Sequence, residues 1–270
     1  MSLANATRSE VTKQFTTSGW WVLLIVLAAY MTFQAGVLGA AFVFGGTGGA
    51  GGERTPLPTE GLAPYVYSIS GTAGYVFPLL FGTLMVTTEF RHKLLTPTFL
   101  ATPRRGQALA AKLLVAVLMG AMFAVVSVIV TVGVGALLFS IKDRPTELDQ
   151  AATWALIGRS VLAQVLWALI GVGVGSIIRN QVAAIVVVLA FTQFVEPLLS
   201  VGAMFVKNLS EPLNYLPGGA TSSLIGYSLL SVTGAGGTLL AWWAGALVLA
   251  GYAVVLTIIG GLTTWRRDVS

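Results

Sequence analysis

Six stretches of the chain run for about twenty residues or more with almost no charge, and clusters of polar, glycine and proline residues mark their ends. They cover roughly 20–44, 64–88, 109–139, 154–178, 182–206 and 239–263. A helix rising ~1.5 Å per residue needs about 20 predominantly apolar residues to cross a hydrocarbon layer ~30 Å thick. Each stretch meets that length, so the pattern predicts six membrane-spanning helices. The third is longer than it needs to be, enough to tilt or to project beyond the bilayer. Only Arg179, Asn180 and Gln181 separate the fourth from the fifth, which predicts a tight turn between antiparallel neighbours.

The intervals differ in character. Residues 45–61, "GGTGGAGGERTPLPTEG", read as a flexible Gly/Pro linker. Residues 207–238 are too long for a plain loop in a compact domain, and they mix apolar residues with turn formers. They predict short helices of their own that dip into the membrane before the last span. No internal repeat relates the two halves, and this counts against carriers built on inverted repeats.

Composition strengthens the membrane reading. Charged residues make up 9% of the chain and hydrophobic ones 56%. Soluble domains carry about 25% charged residues, so this surface could not be covered in water. The chain is read as one all-α transmembrane domain, 1–270, with its first apolar run retained as a span. There is no cysteine, which excludes disulfides and thiolate metal sites.

Charge then orients the spans. An even number of spans puts both termini on one side. That side holds Arg8, Lys13, Arg91, Lys93, Arg104, Arg105, Lys112, Arg179, Arg266 and Arg267. The other holds only Arg54, Lys142, Arg144 and Lys207, with six acids. The positive-inside rule makes both termini cytoplasmic. The net charge of +5 follows this topology and calls for no nucleic-acid partner.

Several chemistries lack their residues. His92 is the only histidine and lies between the second and third spans, so neither a Ser/His dyad at membrane depth nor an HExxH metal site can be built. "GGTGGAGG" has no following Lys-Ser/Thr, and "GVGVGS" (171–176) sits inside an apolar run. Gly171 and Gly175 there form a small-xxx-small pair suited to close helix packing. The chain is expected to be no enzyme and to bind no metal or cofactor itself.

Polar groups inside the spans are the intramembrane candidates. Arg159 and Glu196 fall near the outer ends of the fourth and fifth spans, where they would form an ion pair that locks two helices, snorkel to the headgroups, or line an outer gate. Gln34, Gln164 and Gln193 read as interhelical hydrogen bonders. Trp20, Trp21, Trp154, Trp242, Trp243 and Trp265 fit interfacial belts.

The most charged interval is 87–112, "TTEFRHKLLTPTFLATPRRGQALAAK". Its basic residues contact anionic lipid at about 1 kcal/mol each. Thr102-Pro103 fits an N-cap and first turn, and Thr96-Pro97 offers a second such pair. Phe90, Leu94, Phe99 and Leu100 supply apolar anchors, predicting a short amphipathic element across the inner face.

This stretch resembles the type-2 ATP-binding-cassette (ABC) exporter permeases of bacteria, whose signature between the second and third spans is Glu-aromatic-Arg-His, then Thr, Pro-x-Arg and Lys. "RSEVTKQFTTSGWW" (8–21) is similar to that family's Ser-Glu-x-x-Lys segment. "IIRNQVAAI" (177–185) resembles its inner turn, "LPGGA" (216–220) its outer hairpin and "RRDV" (266–269) its ending. The resemblance implies an amphipathic interfacial helix over 1–19 and a coupling helix after the second span. Glu89, Phe90, Arg91 and His92 match the start of the coupling signature, and Thr98, Pro103, Arg105 and Lys112 its later part. Pro97 leaves open one helix or two shorter ones. It further implies two cytoplasmic ATPase subunits that bind ATP and Mg, a second permease copy as homodimer or close paralogue, and export across the plasma membrane by alternating access. Hydrophobic drug-like or lipid-like cargo is the expectation. A secondary carrier using Arg159 and Glu196, and a non-transporting membrane anchor or assembly subunit, are the alternatives.

Overall fold

The computed structural model describes residues 2–44, 61–92, 105–203, 210–227 and 239–263, and the backbone of two short strands between the first two spans. Helix α1 (Leu3–Thr16) leads into α2 (Gly19–Phe44). Strands β1 (Thr47–Gly48) and β2 (Arg54–Thr55) pair antiparallel, so the interval read as a plain linker carries a minimal ladder. Then come α3 (Ala63–Thr72), α4 (Val76–Arg91), α5 (Arg105–Ile141) and α6 (Ala151–Ile177). Helix α7 (Gln181–Ala190), a π-helical turn (Phe191–Val195) and α8 (Glu196–Ala203) follow. Short helices α9 (Ser210–Leu213) and α10 (Pro217–Ile225) precede α11 (Trp242–Thr263). Six helical segments are long and apolar enough to cross a membrane. The fold is that of a multi-pass all-helical membrane protein.

Two spans are interrupted where continuous helices were expected, and a proline explains each. In the second span, Pro78 cannot donate to the carbonyl of Gly74, and its ring crowds it. Residues 73–75 turn instead, and the Gly74 N–H goes back to the Ile69 carbonyl at 3.2 Å. That orphans the Ser70 carbonyl. Two side chains satisfy it, Gln164 Nε2 donating at 2.8 Å and Ser127 Oγ at 3.2 Å. Interrupted backbone survives at this depth only where protein supplies such partners. In the fifth span, Pro197 stands four residues beyond the Gln193 carbonyl, and the helix widens into a π turn that ends at Val195, two residues before the proline.

Helix α6 is the axis of the bundle and packs against α4, α5, α10 and α11. Glycine makes the closest of these approaches possible. A Cβ on Gly171 would strike the Leu79 carbonyl oxygen of α4, and one on Gly82 of α4 would strike the Ala168 carbonyl of α6. Gly175 meets the Thr83 carbonyl in the same way. The small-xxx-small pair thus works against the second span.

Trp167 is buried at the core and stacks on Tyr75, ring centroids 4.3 Å apart and planes 16° from parallel. Helices α2, α7–α8 and α11 turn large apolar side chains outward, among them Ile25, Phe33, Val186, Phe194, Leu198 and Leu247. A surface of this kind fits hydrocarbon rather than water.

Asn180 caps α7, its Oδ1 accepting from the N–H groups of Val182 and Ala183. The turn between the fourth and fifth spans is therefore 178–180, one residue earlier than the expected three. At the opposite end of the bundle, Glu147 Oε1 accepts the Gly61 N–H at 2.6 Å and the Tyr67 hydroxyl donates to the Thr146 carbonyl at 2.9 Å. These bonds clip the α5–α6 connection over the start of α3.

Candidate functional site

At the end of the bundle that holds α1, four charged side chains from three helices meet. Lys112 lies two turns into the apolar helix α5 and is 0% exposed. Its Nζ is 2.8 Å from Glu10 Oε2 of α1 and 2.9 Å from Glu89 Oε1 of α4. Lys13 of α1 closes the group, 2.7 Å from Glu10 Oε1 and 3.1 Å from Glu89 Oε1. Among the described residues, two acids and two bases meet here.

Local structure delivers each of these groups. Ser2 caps α1 and accepts the Asn5 N–H. Along α1, Glu10 and Lys13 are three residues apart and share a face. That face meets α5, and its buried positions are Ala6 and Glu10, a small residue beside a charged one. Helix α1 therefore docks through a buried carboxylate rather than an apolar stripe. Glu89 sits in the last turn of α4, so the start of the segment expected as a loop is still helical, whereas helix over residues 105–112 in α5 agrees with the cap and first turn read at Thr102-Pro103.

Burial disfavours the charged form of both α1 groups, and the opposite charges outweigh it. Burial pushes the Glu10 carboxyl up, and the Lys112 ammonium, reinforced by Lys13, brings it below its usual value. Burial likewise pulls Lys13 down, whereas Glu10 and Glu89 hold it above the usual lysine value. Both are charged at neutral pH. Among the described residues, the buried Glu89 Oε2 has no hydrogen-bond partner.

Around this group the other signature residues spread out. Phe90 is half-buried and packs into the core formed by α2, α4 and α5. Arg91 is exposed, its Nη1 donating to Gln181 Oε1 at 3.3 Å and bridging α4 to the start of α7. The exposed His92 ends α4, its backbone N–H bonded to the Thr88 carbonyl. Arg105 opens α5. Thr98, Pro103 and Pro97 lie outside the described residues, as does the expected coupling helix. In the sequence Glu10 stands out only within the family-like segment, and Lys13 only there and among the basic residues that orient the spans. The missed signal is Lys112 itself, a charge inside an apolar run, which requires acids elsewhere on the same side.

At the far end, Arg159 and Glu196 do not pair with each other. The half-buried Arg159 places its guanidinium over the Trp242 ring, 5.1 Å from the centroid. Glu196 is buried, and its Oε1 accepts the Gly218 N–H at 2.8 Å. The two side chains have other neighbours, so of the readings offered for them the ion-pair lock between the fourth and fifth spans does not form. The three glutamines also differ. Gln164 bonds between helices, Gln34 bonds Tyr30 within its own helix at 3.3 Å, and the exposed Gln193 donates to the adjacent Thr192 hydroxyl at 3.4 Å. Among the described residues no cluster of metal-ligating side chains occurs. The chain matches no family model and no curated protein.

Proposed function

We propose that the chain is the membrane-spanning permease subunit of a type-2 ABC exporter in a bacterial plasma membrane. It has cytoplasmic termini, pairs with a second permease copy and is driven by two separate ATPase subunits that bind ATP and Mg. The observation that carries this reading is the Glu10–Lys13–Glu89–Lys112 group. The two helices that bound residues 93–104, α4 and α5, each contribute one member, and α1 contributes two. A force applied to the intervening connection would move α1, α4 and α5 together, because separating any pair exposes a buried charge without its partner. Such a rigid junction is what an ATPase-driven machine needs between its contact loop and its spans. Helix α4 then passes the motion to α6 through the glycine contacts at Gly82, Gly171 and Gly175.

Alternating access requires that the connection bind the ATP-closed and open ATPase states with different free energies. The cargo proposed is hydrophobic, drug-like or lipid-like, in keeping with the apolar and aromatic residues of the chain. The secondary-carrier reading draws no support from Arg159 and Glu196, which have separate partners.

The test is co-purification of a P-loop ATPase with the tagged chain, followed by ATPase and transport assays of Arg91→Glu. Arg91 is exposed beside the connection, so its reversal should abolish ATPase binding or uncouple hydrolysis from transport while the chain still folds. Transport that persists on an ion gradient, with no ATPase attached, would overturn the reading.

A further inference from the structure

Arg159 is a half-buried cation on a membrane-spanning helix, and among the described residues no carboxylate pairs with it and no acceptor takes its N–H groups. Its guanidinium lies over the Trp242 ring, 5.1 Å from the centroid. That contact uses the charge but none of the N–H donors, which point outward from the edge of the planar group. The two buried acids at this end of the bundle face elsewhere. Glu196 accepts from the Gly218 N–H and Glu147 from the Gly61 N–H. A charge within a span is costly until an anion or water answers it.

The side of α6 that carries Arg159 is open to the bilayer. Ala155 and Leu162 stand four residues before and three after it, on the same helical face, with Gly158 between them. All three are exposed, and a Cβ added to Gly158 would find nothing within 4 Å. On the other flank, Trp242 and Trp243 open α11 and are 48% and 56% exposed. Gly226, left-handed at the end of α10, has no side chain to cover the guanidinium, and a Cβ there would stand 3.7 Å from Arg159 Nη1. Arg159 also lies at a suitable depth. It is five residues, about 7.5 Å, further into α6 than the exposed Trp154. Tryptophans settle at headgroup level, and a long arginine side chain reaches back toward that level from below.

We propose that Arg159, backed by Trp242, is a binding site for the phosphodiester of an anionic phospholipid in the leaflet at the end of the bundle away from α1. The guanidinium fork matches two phosphate oxygens, and the indole face holds its plane. Ala155 and Gly158 leave an acyl chain a path along α6 past Leu162. The net negative charge of the lipid is what the site lacks. A zwitterionic lipid brings its own ammonium and leaves the arginine uncompensated. The site stands at the junction of α6 and α11, and it holds whether or not an ATPase drives the chain.

Native mass spectrometry of the detergent-purified chain, titrated with phosphatidylglycerol, tests the site without any ATPase. The wild type should bind a first phosphatidylglycerol more tightly than phosphatidylcholine, and Arg159→Met should weaken that binding by about tenfold or more. Arg159→Lys keeps the charge without the fork and should fall between the two. Gly158→Leu leaves every charge in place but fills the open space beside Arg159, so it should weaken the lipid as well. Lys142→Gln removes an exposed cation at the same end of the bundle and should change nothing. Excess inorganic phosphate should not displace the lipid. Equal affinity of wild type and Arg159→Met, equal binding of the zwitterionic lipid, or displacement by phosphate would each overturn the proposal. So would unchanged binding in Gly158→Leu, or the same loss in Lys142→Gln.

Discussion

Lys112 Nζ stands 2.8 Å from Glu10 Oε2, although 102 residues separate the two along the chain. The lysine has no exposed surface, and its second carboxylate, Glu89, belongs to a third helix. One ammonium therefore holds the N-terminal helix to both helices that flank the 93–104 connection.

Removing that ammonium should cost more than removing a surface charge. Lys112→Met leaves two buried carboxylates sharing Lys13, and breaking such a buried group costs about 3–5 kcal/mol. Thermal unfolding of the purified protein should show a large drop in Tm. Exchange of the charges, Glu10→Lys with Lys112→Glu, should recover part of it. An unchanged Tm for Lys112→Met would remove the group from the list of structural anchors.

The cluster also sets a pH window. The folded Glu10 carboxyl lies below its usual 4.5, so its contribution is complete above that value and is lost as pH falls through the folded value. Lys13 lies above its usual 10.5, so its contribution is complete below that value and is lost as pH rises through the folded one. The difference in Tm between wild type and Glu10→Gln should be constant near neutrality and should close on the acid side below 4.5. A difference that grew with acidification would contradict this sign.

Glycine packing between α4 and α6 gives a paired test. Gly171→Ala places a methyl group on the Leu79 carbonyl, so the helices must part, at about 1–3 kcal/mol for overpacking. Gly158→Ala lies on the same helix with nothing within 4 Å of the added methyl, and should be neutral or slightly stabilising. Equal Tm shifts for the two variants would show that the contact does not limit packing.

At the break in the second span, Gln164→Leu removes the shorter of the two bonds to the Ser70 carbonyl. A buried carbonyl left with a weaker partner costs about 1–3 kcal/mol. Hydrogen exchange should quicken for amides in residues 70–77, with little change in α11. Uniform protection along the second span in the variant would mean that the Ser127 hydroxyl suffices.

The sequence by itself determined the six spans, the short turn after the fourth, the helices within 207–238 and the small-residue stripe at Gly171 and Gly175. Each follows from local quantities: apolar length against bilayer thickness, breaker residues, and helical spacing. Pro78 and Pro197 also lie inside apolar runs, and a proline there disturbs the i to i−4 ladder, although the apolar pattern by itself predicts continuous spans. Tertiary structure alone decided the partners. Nothing near Ser70 in sequence says that Gln164 and Ser127 take its carbonyl. The apolar run around Lys112 does not say which acids it meets, and Arg159 and Glu196 looked equally able to find each other. Charges in a low-dielectric interior pair with whatever the packed helices bring within a few ångströms. Backbone contacts such as Gly82 on Ala168 and Gly171 on Leu79 set that packing, so the pairing is a property of the assembled bundle.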